Sequence, residues 1–139
     1  MSGINTSRVL LGGLVAGAVI WLMEGFASVL YMDDLQADLA ALGLSMDMSA
    51  STWILTVLVS LLIGLTLVFL YAAARPRFGP GPKTAALIAV VVWLGAYLTQ
   101  IIGYHMLEMF RTSLLVTWAV VGLVEVVVAA IAGGAVYKE

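Results

Sequence analysis

Residues 114–137 read LLVTWAVVGLVEVVVAAIAGGAVY, an apolar run interrupted by a single ionisable group, Glu125. A bilayer core about 30 Å thick is crossed by a helix of about 20 apolar residues, so the run predicts a membrane-spanning helix. A carboxyl group facing lipid at that depth costs about 2.5–3.5 kcal/mol on insertion scales, so it is expected to point into the protein and to mark a functional site. Three more runs of the same kind lie upstream. Residues 9–31 contain one acid, Glu24, and residues 49–74 and 84–106 contain no Asp, Glu, Lys or Arg. With the last span set at 112–137, the expectation is an all-α polytopic membrane protein: one domain over 1–139, a bundle of four transmembrane helices.

Composition supports lipid as the solvent. Of the 139 residues 63% are apolar and 10% charged, against roughly half and about a quarter in soluble domains. Six cationic and eight anionic side chains cannot cover a soluble surface of this size. No basic patch accompanies the net charge of −2, so nucleic acid is not an expected partner;. The absence of cysteine removes disulfides, thiolate metal sites and cysteine nucleophiles;. Arg8 before an apolar run, with Gly25-Phe26-Ala27 loosely like a cleavage site, raises a signal peptide. The run is longer than a normal signal core, and the segment reads as a retained helix.

If the spans alternate in direction, Arg8, Arg75, Arg77, Lys83 and Lys138 share one side, and Asp33, Asp34, Asp38, Asp47, Glu108 and Arg111 the other. Positive residues in short loops stay cytoplasmic, which predicts both termini on the cytoplasmic side of a bacterial inner membrane. In the first outer loop, 32–48, Leu35, Leu39 and Leu42 recur at helical spacing opposite Asp34, Gln36 and Asp38, with Gly43 as a stop. That pattern predicts a short amphipathic helix on the outer surface, serving as a connector or a lid. Pro76 is expected to end the second span at Arg75, leaving a stiff basic turn over 75–83.

At about 1.5 Å per helical residue, Glu24 lies roughly 13 Å below Asp33, and Glu125 about 20 Å from both Arg111 and Lys138. The two acids therefore share a depth near the midplane, and neighbouring first and last helices would bring them together. Around them the polar stripes offer Ser28 and Tyr31 from the first span, Thr52, Thr56 and Ser60 from the second, Tyr97, Gln100 and Tyr104 from the third, and Trp118 from the fourth. The candidate ligand- and proton-binding set is Glu24, Glu125, Gln100, Tyr97, Tyr104 and Ser28. Small residues at i and i+4, as in Gly13/Gly17, Ser60/Gly64 and Ala129/Gly133, are read as close-packing contacts;.

His105, the sole histidine, invites haem or a metal, with Met106, Glu108 and Met109 as neighbours. One histidine without convergent ligands makes this the weakest of the site hypotheses, and no cofactor is expected. No catalytic triad, phosphate-cradling loop or zinc motif is present, so an enzyme is not expected.

Arg8-Val9-Leu10-Leu11-Gly12-Gly13, the loop Arg75-Pro76-Arg77-Phe78-Gly79-Pro80-Gly81-Pro82-Lys83 and Gly122-Leu123-Val124-Glu125 resemble a family of small uncharacterised bacterial four-span integral membrane proteins. The resemblance implies the four-span topology and no activity. Two functional expectations follow from the residues. The first is a binding or transport module whose protonatable Glu24–Glu125 site handles a small ligand or ion with a proton. The second is a non-catalytic accessory subunit, packed on itself or on a larger membrane complex, in which the two acids are packing hydrogen bonds.

Overall fold

The first helix begins where the sequence offers a cap. Asn5 is extended, and its side-chain oxygen accepts the Arg8 N–H at 3.1 Å, satisfying one of the free donors of the first turn;. The computed structural model describes residues 3–138. In it α1 (Thr6–Ala27) passes through a 3₁₀ turn at Ser28–Leu30 into α2 (Met32–Ala41), and α3 follows over Ala50–Phe78. A third long helix is built of α4 (Pro82–Val92), a π-helical segment at Trp93–Leu98 and α5 (Thr99–Met106), and α6 (Thr112–Val136) completes the chain. The described residues contain no strand. Thr6–Leu30, Ala50–Phe78, Pro82–Met106 and Thr112–Val136 are each long and apolar enough to cross a membrane.

Two of the short sequence signals act as expected. Gly43 adopts φ +71°, and Leu44 N–H returns to the Leu39 carbonyl at 2.9 Å while Gly43 N–H bonds that of Ala40, closing α2 as a Schellman turn;. Ser49 caps α3 and is itself held by Asp47, which accepts from the Ser49 N–H at 2.9 Å and from the Thr52 hydroxyl at 2.8 Å. The Ser49 hydroxyl, donating to Asp47 at 2.7 Å, together with those donors keeps the Asp47 carboxyl below the ordinary aspartate range;.

Pro76 does not end α3 at Arg75. The helix continues to Phe78 and stops at Gly79, whose φ of +80° turns the chain and whose N–H bonds the Arg75 carbonyl at 2.8 Å. The proline sits in the last turn, where a missing N–H costs one bond and no further helix depends on it. The π-helical segment is a second departure. Nothing in the spacing of Trp93, Tyr97 and Gln100 predicts it, and it shifts the register of the third long helix beside the site described below.

The long helices meet in alternating directions. Gly13 approaches Leu65 and Gly17 approaches Leu61, while Gly12 meets Gly133 across the α1–α6 contact. The fit is close enough that a Cβ on Gly64 would lie 2.3 Å from Gly17 N and 2.4 Å from Gly13 O. This backbone-to-backbone approach is what small residues permit between membrane-type helices. The contact region fills one half of the molecule. Ala16, Leu67, Val68, Ala89, Val126 and Ala129 are fully buried there. Arg75 covers the end that bears both termini, its guanidinium 5.9 Å from the Tyr71 ring and 5.2 Å from the Tyr137 ring. Tyr71 and Tyr137 in turn accept the Gly81 and Asn5 N–H groups at 3.0 and 3.2 Å. The half that bears both termini and the 75–83 turn is thus sealed.

The opposite half is open. In α3 no residue before Ser60 is buried, and in the third long helix none beyond Ala89. There α2 lies across the end of the molecule, tied to the start of α6 by Arg111. Its backbone N–H and Nε donate to the two Asp38 oxygens, both at 2.9 Å, and Nη1 reaches Asp34 at 2.7 Å. The pairing lowers the Asp38 carboxyl from its ordinary range and raises the Arg111 guanidinium further;.

Candidate functional site

The sealed and open halves meet at the two acids. Glu24 comes from the last turn of α1 and Glu125 from the middle of α6, and both line the same cavity, close enough to interact electrostatically. The pairing expected from matched depth is present, and its cause is the α1–α6 contact that begins at Gly12 and Gly133. Burial differs between the partners. Glu125 is 3% exposed, and no hydroxyl or N–H donates to its Oε1. Glu24 is not enclosed as expected: it stands at the seam where three cavities meet and is open to them. On this side α3 has no buried residue before Ser60, and its one side-chain hydrogen bond to α1 among the described residues is the Trp21 indole N–H donating to the Thr56 hydroxyl at 3.3 Å.

The cavity containing both acids measures about 330 Å³. Tyr31, Tyr97, Tyr104 and Trp118 line it beside Glu24 and Glu125, and Leu35 of α2 covers it. Tyr31, 6% exposed, donates its hydroxyl to Glu24 Oε1 and meets the Trp118 ring edge-on at 6.0 Å. Phe110 backs this wall with centroids 5.1 Å from Trp118 and 5.4 Å from Tyr104. Gly122 lets Tyr97 in: a Cβ there would stand 2.8 Å from the Tyr97 ring, one helical turn from Glu125. Trp93 fixes the third helix against α6 by donating to the Ala119 carbonyl at 2.9 Å. A π turn between Trp93 and Leu98 then rotates the rest of that helix, a local widening that recurs at functional sites;.

The sequence candidates sort unevenly around this cavity. Tyr97, Gln100 and Tyr104 line it with the acids. Gln100 donates to the Tyr104 hydroxyl at 2.7 Å within one helix face. Ser28 is not part of the acid cavity. Its hydroxyl bonds the Gly25 carbonyl of its own helix at 2.8 Å and it borders a separate groove between α1 and α3;. His105 stands at another cavity near Asp38, Glu108 and Arg111, away from the two acids. No group of three or more His, Asp or Glu side chains suited to a metal forms among the described residues. Two participants were not on the candidate list. Tyr31, seven residues after Glu24, reaches back across the 3₁₀ turn, and Trp118 lies two helical turns before Glu125. Both had been assigned to inward stripes, and the preference of buried Tyr and Trp for a polar partner was the available signal.

A second space of about 670 Å³ opens between α3 and the third long helix. Glu24, Tyr97, Gln100 and Glu125 belong to both spaces, so this groove leads to the acid pair. Its α3 wall alternates hydroxyls and hydrocarbon: Thr52, Thr56, Ser60 and Thr66 among Leu55, Val59 and Ile63. The Thr56, Ser60 and Thr66 hydroxyls bond back to their own helix at 2.8–2.9 Å, so the groove is in effect weakly polar. The chain was compared with protein-family models, curated proteins and solved structures, and none of them matches it.

Proposed function

We propose that the protein is a membrane-embedded binding or transport module in which Glu24 and Glu125 exchange a proton for a small ligand. The four long helices span a bacterial inner membrane with both termini on the cytoplasmic side. The single observation that carries this reading is the placement of two carboxyl groups on the same cavities, one of them 3% exposed with an oxygen to which no hydroxyl or N–H donates. Two ionised acids in contact repel, and sharing one proton relieves both the repulsion and the desolvation. The pair therefore binds and releases protons as a unit. The cavities supply the route, and the tightly packed half supplies the barrier that an uncoupled leak would need to cross. Arg8, Arg75, Arg77, Lys83 and Lys138 lie at the sealed end, which supports the proposed orientation;.

The test is proton exchange. Protein reconstituted in liposomes with a trapped pH-sensing dye is expected to take up or move protons in a way that Glu24→Gln and Glu125→Gln abolish. Unchanged exchange in both variants would remove the acids from the function. The accessory-subunit reading draws on one observation, the Tyr31–Glu24 bond, which is a good packing contact. It predicts that the same Gln variants assemble and act normally. The small-residue faces it would have used for a partner are spent inside the molecule, at Gly13, Gly17, Gly64 and Gly133.

A further inference from the structure

We infer that the ligand of the acid pair is an organic cation, with its charge on an alkylated nitrogen and an apolar arm that lies in the groove between α3 and the third long helix. The inference rests on the Glu24–Glu125 site being the working site and names the class of molecule it takes. Three features converge. First, Glu125 Oε1 is buried at the cavity wall with no hydroxyl or N–H donating to it, so once the shared proton leaves, that acceptor calls for a positive charge;. None of the residues bounding the cavity is cationic, so the protein does not supply that charge itself. Arg111, which sits on the same half, is already engaged by Asp34 and Asp38.

Second, the remaining wall is aromatic. Tyr31, Tyr97, Tyr104 and Trp118 line the cavity that holds the two carboxyl groups. Rings attract a weakly hydrated alkylammonium through their quadrupoles. A hard inorganic cation would instead require six or more oxygens in place of its water. Besides the carboxylates the cavity offers the Gln100 amide and phenol oxygens, and two of these groups, Gln100 and Tyr104, bond each other. That supply suits one delocalised positive charge better than a bare metal ion.

Third, the space is divided. The cavity of about 330 Å³ is at the lower end for small-ligand sites and takes a head group;. The adjoining groove of about 670 Å³ is walled largely by hydrocarbon and shares Glu24, Tyr97, Gln100 and Glu125 with it. A cation with an alkyl or aryl arm fills both, and the arm gains burial that a compact cation lacks. Binding is an exchange: the shared carboxyl O–H gives its proton to the medium, and the carboxylate left behind pairs with the cation. The titratable groups facing the pair are the phenols Tyr31, Tyr97 and Tyr104, while α3 brings only Thr and Ser hydroxyls.

The experiment uses the purified full chain in phosphatidylcholine nanodiscs and decyltrimethylammonium below its micellar range, read by calorimetry and by dye-reported proton release. Controls are the uncharged carbon isostere of the same shape and decyl sulfate. Saturable binding is expected for the ammonium alone, weakening by about tenfold per pH unit on the acid side where proton and cation compete. The double Glu24→Gln/Glu125→Gln variant is expected to lose at least about tenfold in affinity, and Trp118→Leu about threefold or more. Equal binding of the isostere, or ammonium binding without proton release, overturns the inference without requiring any variant to fold. If the wild-type chain exchanges a proton that the double variant cannot, yet binds no ammonium, the cation fails and the proton site stands. If no such proton exchange occurs, the underlying reading fails with it.

Discussion

At the scale of single residues, the glycines separate into structural and site-forming kinds by what a methyl group would strike. At Gly64 the added carbon meets the backbone of α1, 2.3 Å from Gly17 N, and neither chain can yield without separating the two helices. Gly64→Ala is therefore expected to lower stability by about 1–3 kcal/mol, the usual range for overpacking, read as a fall in thermal midpoint in detergent. At Gly122 the methyl meets only the Tyr97 ring, which can swing aside. Gly122→Ala is expected to keep a near-wild-type midpoint while displacing Tyr97 from the cavity and weakening proton exchange. Gly25, with nothing within 4 Å of its Cβ position, is the control, and alanine there is expected to change neither. The motif spacing made Gly13, Gly17 and Gly64 legible as packing residues. Gly122 differs because its role depends on a ring delivered by another helix, which no spacing within α6 encodes.

At the scale of elements, α2 was legible because its leucines recur at helical spacing and its stop is a glycine with positive φ. Its attachment was not legible. Arg111 and Asp38 are 73 residues apart, and a list of charges on one side does not say which of Asp33, Asp34, Asp38, Asp47 or Glu108 receives the one cation. The folded chain selects Asp34 and Asp38 because they lie one turn apart on the α2 face turned toward the start of α6. Since α2 carries Tyr31 at its start and Leu35 on the acid cavity, this attachment holds two of the residues that line it. Arg111→Gln is expected to raise the mobility of a spin label on α2, with little change in global stability because the pair is exposed. The pH sign follows from the lowered Asp38 carboxyl. Its contribution is full above the ordinary aspartate pKa and is lost only as pH falls through the lower folded value. Acidification to about pH 4, near the unperturbed aspartate pKa, is thus expected to leave the label immobile in the wild type, and further acidification to free it. The π segment of the third helix escaped prediction for a different reason: an i→i+5 turn changes backbone pairing while leaving the side-chain pattern almost unaltered;.

At the scale of the whole molecule, the four apolar runs and the meeting of Glu24 with Glu125 could be read from lengths and depths, whereas the asymmetry of the structure could not. Hydropathy treats the two halves of each span alike. The closely approached glycines do not: Gly12, Gly13, Gly17, Gly64 and Gly133 meet neighbouring backbones in the sealed half, whereas Gly25, Gly95 and Gly103 in the open half have nothing within 4 Å of a Cβ position. Larger residues such as Trp53, Leu55 and Leu58 occupy the splayed half of α3 and stay exposed. Along α1, α3 and α6 the closely approached glycines thus lie to one side of the acids, and the acids sit near where those contacts end. This asymmetry is testable because the chain has no cysteine, so every introduced thiol reports alone. Single substitutions Thr56→Cys and Gln100→Cys place a thiol on the groove leading to the acids. Ala16→Cys and Ala129→Cys place one at fully buried positions of the sealed half. In liposomes, a membrane-impermeant maleimide is expected to label the first two at least about tenfold faster, a difference of about 1.4 kcal/mol in the opening needed to reach the thiol. Equal labelling rates at the two pairs would show that the open half is filled by lipid or protein in the bilayer, and that water reaches the acids by no continuous path.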